Sequence, residues 1–277
     1  MGRYPLAIIL AVASLAVPMG SPAEAIIVES VFTGAFALTE VELLAGSTFA
    51  RATALNESGQ VAGTASFPDG RARGFFWSNG VMTDIGTLPG GTFSEVSGLN
   101  DAGQVVGLAD TAGGELHAFL WQEGVMSDLG TLGGSLSWAW AINNAGQIAG
   151  FADTADGQRR AVLWQGGTIR DLGILPGGRE SYAMAINEAG QVVGRSEVTE
   201  SDGQRTDHAV LWQNGAMIDL GKHPGSVGSQ AHAVNKAGQV IGASHFAVQV
   251  SENQAETCER AFLWHQGVMT DLAPLPG

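Results

Sequence analysis

Five aspartates, Asp84, Asp128, Asp171, Asp219 and Asp271, recur at one register, each followed by Leu or Ile. Carboxylates in such a series could hold a divalent cation or act as general acid and base. Five like charges gathered on one axis would repel unless cations neutralised them. The same side chain also accepts backbone N–H groups at turns, and that use suits a position present in every unit. Five tryptophans, Trp77, Trp121, Trp164, Trp212 and Trp264, each close a short apolar run. This places them as packing wedges between sheets, where burial of a large apolar side chain is worth about 1.5–3 kcal/mol. Trp138 and Trp140 occur in one unit only and lie two residues apart, on one side of a strand. They are the candidate aromatic platform for a sugar. His223 and His232 near Asp219 are the one grouping that resembles acid–base machinery. No zinc-ligand spacing, nucleophile elbow or phosphate-loop motif accompanies any of these residues, and no catalytic, cofactor or metal residue is assigned.

These residues sit in a repeat. An Asn-x-x-Gly-Gln stretch begins at Asn56, Asn100, Asn143, Asn187 and Asn235. An aliphatic pair with Gly, a variable segment, the run ending in Trp, and the Asp follow in order. The spacing is 43 to 44 residues at first and then widens, with the added length confined to 195–207 and 243–259. Those two segments are expected to be long loops that contact a partner. Each unit divides into four short strands. Asn opens the turn between the first two because its side chain accepts a backbone N–H two residues on, and Gly tolerates the positive φ that ends the turn. A Gly-rich passage such as Gly86 to Gly91 links one unit to the next.

A four-stranded sheet this small cannot bury both faces alone, so the units must stack. The expected fold is all-β, a β-propeller of four-stranded blades, with six blades, one incomplete, or five. The partial unit lies near residues 35–55, with Thr39-Glu40-Val41 as its turn. Ile26 to Glu29 are expected to pair with the terminal strands Ala261–Trp264 and Val268–Leu272 and so close the ring.

Bulk properties bound the rest. Arg3, the apolar run from Leu6 to Val17, and Ala23-Glu24-Ala25 read as a cleaved export signal over residues 1–25, with a single repeat domain over 26–277. The apolar run is too short to span a bilayer, so no transmembrane anchor is expected after cleavage. Acidic residues outnumber basic ones 27 to 13, and the only lysines are Lys222 and Lys236. This speaks against nucleic acid, which demands clustered cations. The single Cys258 excludes an intrachain disulfide framework.

The repeat resembles the probable extracellular family named for its His-Ala-Phe tripeptide, over roughly Val41 to Leu272. The tripeptide is intact at His117-Ala118-Phe119 and varied at Arg73-Gly74-Phe75, Arg160-Ala161-Val162, His208-Ala209-Val210 and Arg260-Ala261-Phe262. The resemblance implies an exported bacterial protein, secreted or periplasmic, and supplies no catalytic residues. The functional expectation is a surface or secreted binding scaffold for a glycan, an envelope polymer or a secreted protein. The alternatives are a hydrolase or lyase with a polar site on the propeller axis, and a purely structural envelope or matrix protein.

Overall fold

The computed structural model describes residues 26–32, 35–41, 43–251 and 254–272. The chain forms an all-β propeller built of four-stranded antiparallel blades. Blade 1 comprises Phe49–Leu55, Val61–Ser66, Ala72–Ser78 and Val81–Gly86; blade 2, Ser94–Leu99, Val105–Asp110, Leu116–Gln122 and Val125–Asp128. Blade 3 comprises Gly133–Ile142, Ile148–Thr154, Arg159–Gln165 and Thr168–Asp171; blade 4, Ser181–Ile186, Val192–Thr199, Arg205–Gln213 and Ala216–Gly221. Blade 5 comprises Gly228–Val234, Val240–Ser251, Gln254–His265 and Val268–Asp271. First strands pack on first strands of neighbouring blades, which makes the first strand of each blade the innermost and the fourth the outermost.

Burial is organised by seams between blades. Every blade turns one face to its predecessor, the leading face, and one to its successor, the trailing face. Between blades 2 and 3, Val106 and Ala118 of one trailing face meet Ala139, Ile148, Val162 and Trp164 of the next leading face. The same pattern joins blades 1 and 2, 3 and 4, and 4 and 5, with Trp121, Trp212 and Trp264 in the place of Trp164. Trp77 packs on the leading face of blade 1 beside Leu44, Val61 and Phe75.

Two polar staples cross each seam. Asn143 accepts N–H bonds from Ala145 and Gln147 on Oδ1, while its Nδ2 donates to Gln147 Oε1 and to the carbonyl of Asn187 in the next blade. Asn56, Asn100 and Asn187 repeat this set, reaching Asn100, Asn143 and Asn235 in turn. All four are buried, and all four of their hydrogen-bonding positions are filled, so they cost little to bury. The second staple is a serine on the first strand. Ser137 accepts the Ala118 N–H and donates to the Gly130 carbonyl, tying two strands of blade 2 to blade 3. Ser94, Ser181 and Ser229 do the same at the other seams. Blade 1 carries Ala50 at this position.

The Gly of each second strand has a steric reason. A Cβ built on Gly150 would overlap the Trp138 carbonyl oxygen, and one on Gly194 would overlap that of Tyr182. The first strand comes this close because it carries a β-bulge in every blade, between Ala139 and Ala141 in blade 3 and at the matching place in the others.

Three expectations are corrected. The added length within 195–207 and 243–259 is mostly strand among the described residues: the second and third strands of blades 4 and 5 extend their ladders into it, pairing Thr199 with Arg205 and Val248 with Glu256. Thr39, Glu40 and Val41 form no turn but lie in the strand Ala35–Val41. Ile26–Phe32 pairs with that strand, in the register Ile26 to Val41, and not with the terminal strands of blade 5. Hairpin growth within a blade is local, whereas closure across the ring would hold strands far apart in sequence, which costs more chain entropy.

Removing the Ser137 hydroxyl strands the buried Ala118 N–H and the part-buried Gly130 carbonyl. Ser137→Ala is expected to lower unfolding stability by about 1–3 kcal/mol in urea titrations. Ser135→Ala, at an exposed position two residues away, should stay within about 0.5 kcal/mol of the parent.

Candidate functional site

The repeated aspartates lie on the outermost strands and do not converge. Each is used within its own blade: Asp84, Asp128, Asp171 and Asp219 accept the N–H of the Gly two residues on at 2.7–2.8 Å. Each also faces a basic side chain on the third strand, in the pairs Arg73–Asp84 (3.3 Å), His117–Asp128 (2.8 Å), Arg160–Asp171 (3.7 Å), His208–Asp219 (3.0 Å) and Arg260–Asp271 (4.0 Å). The variable first residue of the tripeptide is thus the partner of the invariant Asp, and Arg and His exchange there because both present an N–H donor. Spacing alone does not reveal this pairing, although a basic residue at that position in all five units signals it. His223 and His232 do not gather at Asp219. His223 faces Asp271 at 3.4 Å, and His232 is exposed on the first strand of blade 5. Among the described residues no group of three His, Cys, Asp or Glu is placed to hold a metal ion.

The aromatic pair has a different setting. In the antiparallel register Ala139 faces Gly150 and Ala141 faces Ala149, so Trp140 is the extra residue of the bulge. A bulge turns its side chain out of the regular alternation. Trp138 and Trp140 consequently form a corner, with ring centroids 6.1 Å apart and planes at 61°, instead of the flat shelf that their spacing suggests. Both are half-buried. Trp138 Nε1 donates to Ser97 Oγ of blade 2. Trp140 stacks on Tyr182 of blade 4 at 5.9 Å and 13°, and Phe151 meets both edge-on at 5.2 and 5.3 Å. At the bulge position the other blades carry Thr53, Ser97, Met184 and His232, so the large ring is particular to blade 3.

Charged groups rim this cluster. Arg159 lies 5.4 Å from the Phe151 ring and donates to Tyr182 Oη, which in turn donates to Glu180. Arg195 lies over the Tyr182 ring at 4.4 Å and pairs with Asp207. Asp153 Oδ1, buried and 3.6 Å from Arg159 Nε, has no hydrogen-bond partner among the described residues, and neither has Arg195 Nε. Burial raises the Asp153 pKa; Arg159 opposes this and Glu180 adds to it. Burial likewise raises that of Tyr182, so its hydroxyl stays a donor at neutral pH. Half-buried indoles beside a mixed-charge rim are the side-chain types that a polyhydroxylated ring uses, its apolar face stacking and its hydroxyls both donating and accepting.

No family model matches the chain, and no curated protein matches it in sequence. Solved structures are similar in fold. The acylaminoacyl peptidase of Pyrococcus horikoshii matches with a TM-score of 0.51 and 13% identity, over 86% of this chain and 40% of that one. The β-propeller domain of the Trilobed protease from Pyrococcus furiosus, described as having an open velcro topology, matches with a TM-score of 0.39 and 10% identity over 90% of both chains. SapL1 lectin in complex with α-methyl fucoside matches at 0.34 and 12%, over 92% of this chain and 90% of that one. This chain spans less than half the length of the peptidase.

His208 gives the fold a pH dependence. Its hydrogen bond to Asp219 raises its pKa above the ordinary 6.5 against the opposing effect of burial, with Glu200 adding to the rise. Burial of Asp219 would raise its own pKa, but the bonds from His208 and the Gly221 N–H outweigh it and leave the value below 3.8. The histidine's contribution is complete below pH 6.5 and is lost as pH rises through its folded-state pKa. That of the aspartate is complete above pH 3.8 and is lost as pH falls through its folded-state pKa. The pair therefore stabilises most between about pH 4 and 6.5. Thermal melts should show a midpoint that declines from pH 6 to pH 9 in the parent and less steeply in His208→Gln.

Proposed function

We propose that this chain is an exported carbohydrate-binding scaffold of the His-Ala-Phe repeat class, with its ligand site at the Trp138–Trp140 corner. The observation that carries this reading is the bulge at Trp140. It sets two half-buried indoles at 61° against a wall of Phe151 and Tyr182, in one blade of five. A structural requirement of the repeat would place such rings in every blade. A sugar ring lying against one indole presents its axial C–H groups to the π face and its equatorial hydroxyls to the rim. Glu180 and Arg159, which bond the Tyr182 hydroxyl, stand at that rim as an acceptor and a donor. The remaining blades act as the rigid frame that holds the two indoles in place.

Export is supported by Arg3, the apolar run to Val17 and the Ala23-Glu24-Ala25 site. Expressed with its leader in a bacterial host, the protein should be recovered outside the cytoplasm with Ile26 as its first residue by intact mass. Recovery in the cytoplasm with residues 1–25 attached contradicts export.

Binding is tested on a glycan array followed by titration calorimetry on the best hit. Trp138→Ala and Trp140→Ala should each weaken binding by about tenfold or more, equivalent to about 1.4 kcal/mol, with Trp264→Phe as a control remote from the corner. Absence of saturable binding by folded protein, or binding indifferent to both substitutions, contradicts the reading.

A further inference from the structure

The four internal seams define what a trailing face of this repeat needs, and blade 5 has one that nothing among the described residues covers. On the trailing faces of blades 1 to 4 the second-strand residue is Ala62, Val106, Ala149 or Val193, each with no exposed surface. The matching Ile241 of blade 5 is 49% exposed. The fourth-strand residue shows the same contrast: Ile85 and Leu220 are buried, whereas Leu272 is 46% exposed. Ala118, Ala161 and Ala209 are buried on the third strand, and Ala261 is exposed.

The polar staples end at the same edge. Asn56, Asn100, Asn143 and Asn187 each donate Nδ2 to the carbonyl of the Asn in the following blade. Asn235 is exposed, and its Nδ2 bonds only to its own Gln239. The N–H groups of Gly74, Ala118, Ala161 and Ala209 are each received by a serine of the following blade. No described serine stands over Ala261. The other end of the array is made differently. The leading face of blade 1 keeps Val61 and Phe75 buried, and Ala50 replaces the serine that would reach back to a preceding blade. Among the described residues, therefore, the leading face of blade 1 is covered and the trailing face of blade 5 is not.

We infer that the trailing face of blade 5 is a docking surface for one further repeat unit of this same chemistry, supplied as an additional four-stranded sheet. The occupant is specified by continuity with the four established seams. It needs a first-strand serine to receive the Ala261 N–H, a backbone carbonyl to receive Asn235 Nδ2, and an aliphatic and Trp leading face to cover Ile241, Leu263 and Leu272. Burying this apolar surface drives association, and the two staples fix its register.

The test supplies such a unit to the whole protein. A copy of residues 91–129, which begins with Gly91 and carries Ser94, Asn100 and Trp121, is joined after Gly277, where it continues the repeat in phase. Hydrogen exchange should slow by about tenfold or more at the Ala261 amide, with the added unit itself protected and the melting temperature raised. The same extension with its copied Ser94 changed to Ala should lose the protection at Ala261 while keeping part of the thermal gain. Ile241→Asp in the extended protein should abolish both. An added unit that exchanges at unprotected rates and leaves Ala261 unchanged overturns the proposal. So does an added unit that folds without slowing exchange at Ala261, because that unit would be seated elsewhere.

Discussion

A blade of this protein is too thin to be stable alone, and the contact between the trailing face of one blade and the leading face of the next sustains everything else. Four strands of four to twelve residues expose two faces and can bury neither against themselves. Stacking solves this once for every seam, and each solution is nearly the same. A small aliphatic pair meets a Trp and a Val, a serine hydroxyl ties two strands of the earlier blade, and an asparagine amide hands its last N–H to the next turn. The apolar part supplies free energy without direction. The serine and asparagine supply direction, because a blade shifted by one residue would leave their buried partners unmatched.

That division of labour leaves part of the sequence free. The bulge of the first strand and the Gly beneath it are needed in every blade, but the residue at the bulge is not prescribed by the seam. It is Thr, Ser, Trp, Met and His in turn. Blade 3 uses this freedom for Trp140, and the seam with blade 4 supplies Tyr182 as its stacking partner. The proposed site is thus a local decoration on a frame that does not depend on it, which is how a repeat scaffold acquires a ligand without redesign of its core.

The features legible in the sequence are those that repeat along it. The period, the Asn turns, the four strands per unit and the Trp register all follow from spacing, because local turn chemistry and alternation are encoded within a few residues. Features requiring the third dimension were not legible. The spacing of Trp138 and Trp140 implies a common face, but the bulge between Ala139 and Ala141 rotates them into a corner. Segments 195–207 and 243–259 have the polar composition of loops, yet continue mostly as ladders among the described residues, since a two-stranded extension satisfies its backbone groups without an apolar face. The pairing of residues 26–32 with 35–41 displaced the expected ring closure because the nearer partner costs less entropy. The serine staple repeated at Ser94, Ser137, Ser181 and Ser229 and was visible in principle, but its purpose emerges only when the carbonyl it reaches is known.

If the seams carry the stability, damage to one seam must be felt on both of its sides. Ala183 is fully buried in the contact between blades 3 and 4, so Ala183→Asp places a charge there without touching any turn. Residue-resolved hydrogen exchange on this variant is the most direct measurement. Amides of blades 3 and 4 should lose protection together, the loss diminishing toward blades 1 and 5. Loss confined to blade 4, with blade 3 as protected as in the parent, would mean that a blade holds its own fold and that the seams merely arrange finished parts.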